Sequence, residues 1–140
     1  MNGLTFARSL IGSGRPEGIG EALDFTLWRV EDRFAVCGGT VGVHALNPLG
    51  FVHGGYIATL LDSACGFALL STLAEGQSMT SINLDTTFHK PLSLPSGRVR
   101  AEARITSLGK QIAYAEARLL DDEDKLYATA TSSLMILDRR

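Results

Sequence analysis

FVHGGYIATLLDSACGFALLSTL, residues 51–73, decides the fold. Between Gly54 and Leu73 there is no proline, and Ile57, Leu60, Leu61, Ala64, Phe67, Ala68 and Leu70 recur at the three- and four-residue spacing of a helix. Apolar side chains extend round the cylinder, so the stretch predicts one long, buried central helix. Thr59, Asp62, Ser63 and Gly66 interrupt that character and share one face, which makes the segment too polar for a membrane span. Asp62 is a carboxylate on a stripe of small residues. Such a placement costs several kcal/mol unless the group is paired, hydrogen-bonded or wet.

The rest of the chain supplies strands. Alternation predicts strands over 22–30, 33–43, 79–88, 98–107, 111–120 and 126–137, the last three forming a meander. Gly38 and Gly39 mark a bulge or a close approach of backbone. Met79 to Phe88 alternates Ser81, Asn83, Asp85 and Thr87 against Ile82, Leu84 and Phe88. Alanines at 101, 103, 113, 115, 117, 128 and 130 let a helix lie close against a curved sheet. A parallel doubly wound sheet needs a helix after nearly every strand, so the pattern reads as α+β: a six-stranded antiparallel sheet wrapped around one helix. Residues 1–20 read as a short helix over Leu4 to Ile11 followed by a loop, with a single domain over 21–140.

Composition narrows the function. The 140 residues are 45% hydrophobic, 20% charged and carry a formal net charge of -2, which argues against nucleic acid as a partner. No continuous apolar core marks a signal peptide in residues 1–20, and no segment reads as a membrane anchor. Cys37 and Cys65 sit among apolar neighbours, as in a reducing, cytoplasmic compartment. GSGRPEG follows no strand and lacks the lysine-serine pair of a phosphate loop. The three histidines and the acids show no metal-ligand spacing.

Chemistry therefore concentrates at the helix and its mouth. The backbone N–H groups of a first helical turn have no intrahelical acceptors, and Gly54 and Gly55 leave them unshielded. Against them a thioester or ester carbonyl meets an oxyanion hole; the plainer alternative is a tight loop-to-helix entry. Asp62 lies eight residues beyond Gly54, about 12 Å along the axis, too far to act on a carbon held at the same helix's mouth. A site using both needs two antiparallel helices, and a two-fold dimer supplies two such sites. The alternative for Asp62 is a structural carboxylate bonded to Ser81, Thr59 or a neighbouring chain.

The run Asn47-Pro-Leu-Gly-Phe-Val-His53-Gly54-Gly55, then Leu60-Leu-Asp62-Ser and the strand TSINLDTTFHKP, resembles the hotdog-fold acyl-CoA thioesterases of the PaaI-like group, related to 4-hydroxybenzoyl-CoA thioesterases. The resemblance covers roughly Asp24 to Leu137. It implies a hotdog fold with subunits joined edge to edge into homodimers and commonly into dimers of dimers. It also implies hydrolysis of acyl-CoA without a cofactor, coenzyme A entering as part of the substrate. Residue by residue, it implies Asp62 as base or nucleophile and Gly54 N–H as oxyanion donor with Gly55 beside it. His53 and Asn47 would shape the loop and polarise the thioester, and Ser81, with Thr80 competing, would position water or carboxylate. Where some relatives carry a hydroxyl one turn after the acid, this chain has Gly66.

Phe51, Tyr56, Ile57 and Leu61 are the expected acyl-pocket lining, with aromatic or medium-chain groups both admissible. Lys90, Arg98, Arg100, Arg104 and Lys110 are the basic candidates for the CoA phosphates. Two other functions stay open on the same fold: a hydratase or dehydratase using His53 with the acid, and an acyl-CoA-binding protein without catalysis.

Overall fold

A computed structural model describes residues 1–11, 13 and 18–138. The glycine-rich stretch 12–18, with the phosphate-loop reading set aside above, lies outside them except at residues 13 and 18. The described elements are helices α1 (Gly3–Leu10) and α2 (Ile19–Leu23), strands β1 (Phe25–Glu31) and β2 (Phe34–Thr40), and the central helix α3 (Gly54–Leu70). Strands β3 (Gln77–Phe88), β4 (Arg98–Leu108), β5 (Ile112–Asp121) and β6 (Leu126–Asp138) follow. Every pairing is antiparallel, in the order β1-β2-β4-β5-β6-β3. This is the hotdog arrangement: one sheet curved around α3, with the β4-β5-β6 meander at its centre.

The packing follows from the small residues. Ala101, Ala103, Ala113, Ala115, Ala117, Ala128 and Ala130 are all buried, and Leu60, Leu61, Ala64, Cys65, Ala68 and Leu69 of α3 are fully buried in the same core. Short side chains on the sheet leave room for the leucines of the helix, and burying each of those is worth about 1.5–3 kcal/mol. Among the described residues no helix is long and apolar enough to cross a membrane.

Four local readings are corrected. Ala22 and Leu23 belong to α2, because Asp24 takes a left-handed conformation (φ 55°) and ends that helix before β1 begins; α2 also crosses the expected boundary at residue 20. At the other end of the hairpin β2 stops at Thr40, and Val43 opens a 3-10 turn (Val43–Ala45). The central helix ends at Leu70, where the Ser71 hydroxyl bonds back to the Ala68 carbonyl and accepts the Arg33 N–H, tying the β1–β2 turn to the helix end. Lastly, Ser81 does not share a face with Asn83, Asp85 and Thr87. The register of β3 on β6 slips between Ser81 and Asn83, so Ile82 is an extra residue and the alternation inverts across it.

The paired glycines mark a close approach. A Cβ on Gly38 would fall 2.4 Å from the Trp28 ring, and one on Gly39 2.5 Å from the Asp24 carbonyl oxygen. The bulge itself lies opposite, in β1 at Trp28. Helix α1 docks beside this edge: Gly3 N–H donates to the Leu73 carbonyl, and Arg8 pairs with Glu31 of β1.

Candidate active site

The loop into α3 is built by Asn47. Its Oδ1 accepts the N–H groups of Leu49 (3.0 Å) and Phe51 (3.1 Å), while its own N–H donates to the Phe51 carbonyl. This is a side chain substituting for backbone in a turn, an arrangement suited to the extended geometry that Pro48 imposes on residue 47. His53 N–H then donates to Ala45 and Val52 N–H to Leu92, which anchors the last residues before the helix.

His53 is the N-cap of α3. Its Nδ1 accepts the Gly55 N–H at 2.7 Å, and its carbonyl accepts the N–H groups of Tyr56 and Ile57. Gly55 N–H is therefore consumed inside the protein, which corrects the expectation of two free glycine donors. Gly54 N–H has no acceptor among the described residues, and it carries the positive end of a 17-residue helix. The mouth offers one donor. Sequence reasoning gave His53 a loop-shaping and polarising role and missed it as a cap, because histidine is not among the residues favoured at that position.

The acid stands two turns further on. Asp62 is half-buried and its Oδ1 accepts the Ser81 hydroxyl at 2.8 Å. Ser81 pairs with Leu134 and Thr80 with Met135. Leu134 is fully buried whereas Met135 is exposed, so Ser81 faces the helix and Thr80 faces away. Thr59 bonds the Gly55 carbonyl of its own helix instead of Asp62. A Cβ at Gly66 would come within 2.9 Å of Met79 Cε, so β3 approaches α3 closely just beyond the acid.

The remaining candidates separate. Tyr56, Ile57 and Leu61 are buried in the core of the protomer, while Phe51 is half-exposed. The Tyr56 hydroxyl has no hydrogen-bond partner among the described residues; burial pushes its pKa up to about 12, with Asp24 adding to the effect, and its ring meets His44 edge-on at 5.9 Å. Lys90 is exposed after the end of β3. Arg98 lies on the outer face of the sheet, its guanidinium 4.5 Å from the Trp28 ring centroid and paired with Asp122. Arg100 is committed to Glu102 and Asp124, and Arg104 to Glu116; Lys110 is exposed. His89 bonds Thr129.

Cys37 and Cys65 are free thiols, both buried in the core. Burial pushes the Cys65 thiol up to about 12, with the Asp62 charge adding to it, and raises Cys37 as well. Among the described residues no cluster of three His, Cys, Asp or Glu side chains could hold a metal ion. A depression of about 410 Å³ lies among Phe34, Glu102, Arg104, Glu116 and Arg118 and one of about 320 Å³ among Asp85, Thr87, Glu116, Arg118, Thr129 and Thr131, and neither is lined by Gly54 or Asp62. Within one chain, then, the acid and the free donor share a helix about 12 Å apart.

Residues 49–128 match the family model of the thioesterase superfamily. The chain is 32% identical over 91 residues to the proofreading thioesterase EntH of Klebsiella pneumoniae, covering 65% of each chain. It is 35% identical over 105 residues to mouse acyl-coenzyme A thioesterase THEM4, covering 69% of this chain and 40% of that one. The chain thus spans less than two thirds of the length of these curated relatives. A solved phenylacetic acid degradation-related protein of Ralstonia eutropha superposes with a TM-score of 0.81 at 28% identity, over 93% of this chain and 98% of its own.

Proposed function

The chain belongs to the thioesterase superfamily, and on that premise we propose that it hydrolyses acyl-CoA thioesters to a free acid and coenzyme A. The observation that carries this reading is the Asp62 carboxylate, held by Ser81 on the small-residue stripe of the central helix. Its second oxygen, Oδ2, has no protein partner among the described residues and is available to a substrate or a water. The likeness to the thioesterases EntH and THEM4 supports the same reading.

The thioester carbonyl oxygen accepts the Gly54 N–H at the positive end of the helix. Water adds to the carbonyl carbon while Asp62 takes its proton. The oxyanion collapses, the C–S bond breaks, and the departing thiolate recovers the proton from Asp62. In the nucleophilic variant Asp62 attacks first and water then hydrolyses the mixed anhydride. Asn47 and His53 serve both routes by holding the loop and the helix mouth; Gly55 contributes through its bond to His53.

Each site takes Gly54 from one protomer and Asp62 from its partner. Two features support that assembly: the axial separation of about 12 Å, and the free edge of β3, which among the described residues pairs only with β6 and exposes Ile82. Edge-to-edge joining at β3 would bring two such helices alongside each other, and pairing of two dimers would complete a tetramer. Two free, buried cysteines fit a reducing compartment such as the cytoplasm.

Incubation with a panel of acyl-CoA thioesters, following free thiol, tests the reading. Hydrolysis releases thiol, hydration of an enoyl thioester leaves the thioester intact, and a binding protein changes neither. A hydratase would draw its proton carrier from His53, whose Nδ1 is occupied by Gly55. Absence of thiol release across aromatic and medium-chain substrates would overturn the proposal.

A further inference from the structure

Phe88 is the last residue of β3, and its ring covers the helix mouth. The three atoms nearest to a Cβ built on Gly54 all belong to this ring, at 3.1, 3.4 and 3.6 Å. Phe88 pairs with the buried Ala128, which puts it on the helix side of the strand, yet 52% of the residue is exposed. An aromatic ring thus stands in contact range of the one free backbone donor of α3 while keeping about half its surface open. Core packing alone would have buried it.

The placement sets what lies beside a bound carbonyl. Strand β3 runs along α3 with Met79 at Gly66, Ser81 at Asp62 and Phe88 at Gly54. Between the last two pairs the helix side of the strand carries only Leu84 and Thr86, and Ala58 lies one turn beyond Gly54. A carbonyl oxygen bonded to Gly54 N–H puts its acyl substituent a few ångströms from the Phe88 ring, within the centroid separation of about 4.5–7 Å at which aromatic pairs interact. The nucleotide end of CoA is charged and must remain in water, so the group turned toward this apolar stretch is the acyl group.

We infer that Phe88 is a specificity-determining residue that stacks on the acyl group and gives the site a preference for aromatic over saturated acyl-CoA. This rests on the thioesterase reading above. Aromatic pairing beyond simple burial corresponds to about a two- to tenfold preference.

The test compares phenylacetyl-CoA with cyclohexylacetyl-CoA, a pair that differs in the π system of the ring and hardly in size or reactivity. The quantity read is the ratio of the two kcat/KM values, which does not depend on how much of a variant is folded. In the wild type the ratio should favour phenylacetyl-CoA. Phe88→Tyr, which keeps the ring, should hold it within about twofold, and Phe88→Leu, which keeps apolar bulk, should lower it about two- to tenfold. A ratio unchanged by Phe88→Leu, or equal losses on both substrates, would overturn the inference while leaving thioester hydrolysis intact. A wild type that releases thiol from neither substrate nor any other acyl-CoA would overturn the thioesterase reading, and this inference with it.

Discussion

The hydroxyl of Ser81 reaches Asp62 Oδ1 at 2.8 Å because β3 carries one residue more than its partner at Ile82. Without the extra residue, strict alternation through Asn83 would turn Ser81 to the outer face and Thr80 toward the helix. A bulge thus selects which of two adjacent hydroxyls meets the acid.

Asp62→Asn should keep the folded oligomer and lose about 100-fold or more in kcat, since the amide preserves shape and the Ser81 contact but is neither base nor nucleophile. Thiol release measured beside size-exclusion chromatography checks this. Activity within threefold of wild type would move the chemistry elsewhere.

Ser81→Ala should lower kcat by about tenfold, less than loss of the acid itself, because it removes one hydrogen bond to a charged group. Thr80→Ala, on the opposite face, should leave kcat within about twofold. Equal losses from the two variants would contradict the assignment of Ser81 as the positioning hydroxyl.

Mixed dimers test the shared site. Asp62→Asn and Gly54→Pro chains, each inactive alone, should regain activity in the heterodimer, where one site keeps both groups intact. Proline at the first helical position deletes the donor at little cost to the helix, but it crowds the Phe88 ring. Gly54→Ala, which crowds the same ring and keeps the N–H, separates the two effects. Confirmed heterodimers without activity would count against the arrangement.

A pH-dependent term sits far from this site. Asp121, the last residue of β5, is held below the usual carboxylate range chiefly by the Lys125 N–H; the Tyr127 hydroxyl and Glu123 N–H act the same way, and burial opposes them. A carboxylate with a depressed folded-state pKa stabilises the fold above its unfolded value of about 3.9, and that stability is lost as pH falls through the folded value. Asp121→Asn should therefore lower Tm at pH 7, and the gap from wild type should close below about pH 4. Thermal melts across that range decide it.

Gly39→Ala should destabilise by about 1–3 kcal/mol, because the new methyl group meets the Asp24 backbone carbonyl and not a side chain that can swing away. Urea unfolding midpoints measure the loss.

Much of this architecture was legible in the residues themselves. The three-and-four spacing from Ile57 to Leu70 announces the central helix, and the runs of alternating alanines announce the meander, because both patterns are periodic over many residues. What escaped were single-residue events. The left-handed Asp24 that assigns Leu23 to a helix, the extra residue at Ile82 and the capping bond of His53 each hinge on one dihedral or one side chain. Periodicity averages over such events, and histidine is not among the side chains favoured at helix N-caps. The fate of Gly55 N–H followed from that cap and was equally hidden.

The sheet order has a temporal consequence. Strand β3 follows α3 in the chain but pairs only with β6, so the Ser132 hydroxyl closes on Asn83 across 49 residues of sequence. Contacts of such long range form slowly, since chain closure must precede any gain from pairing. During synthesis the helix bearing Asp62 and strand β3 both emerge well before β6, the strand on which β3 is held. The nascent chain can complete its acid–hydroxyl pair only after the β4-β5-β6 meander has been made, so catalytic competence should lag behind the burial of the helix.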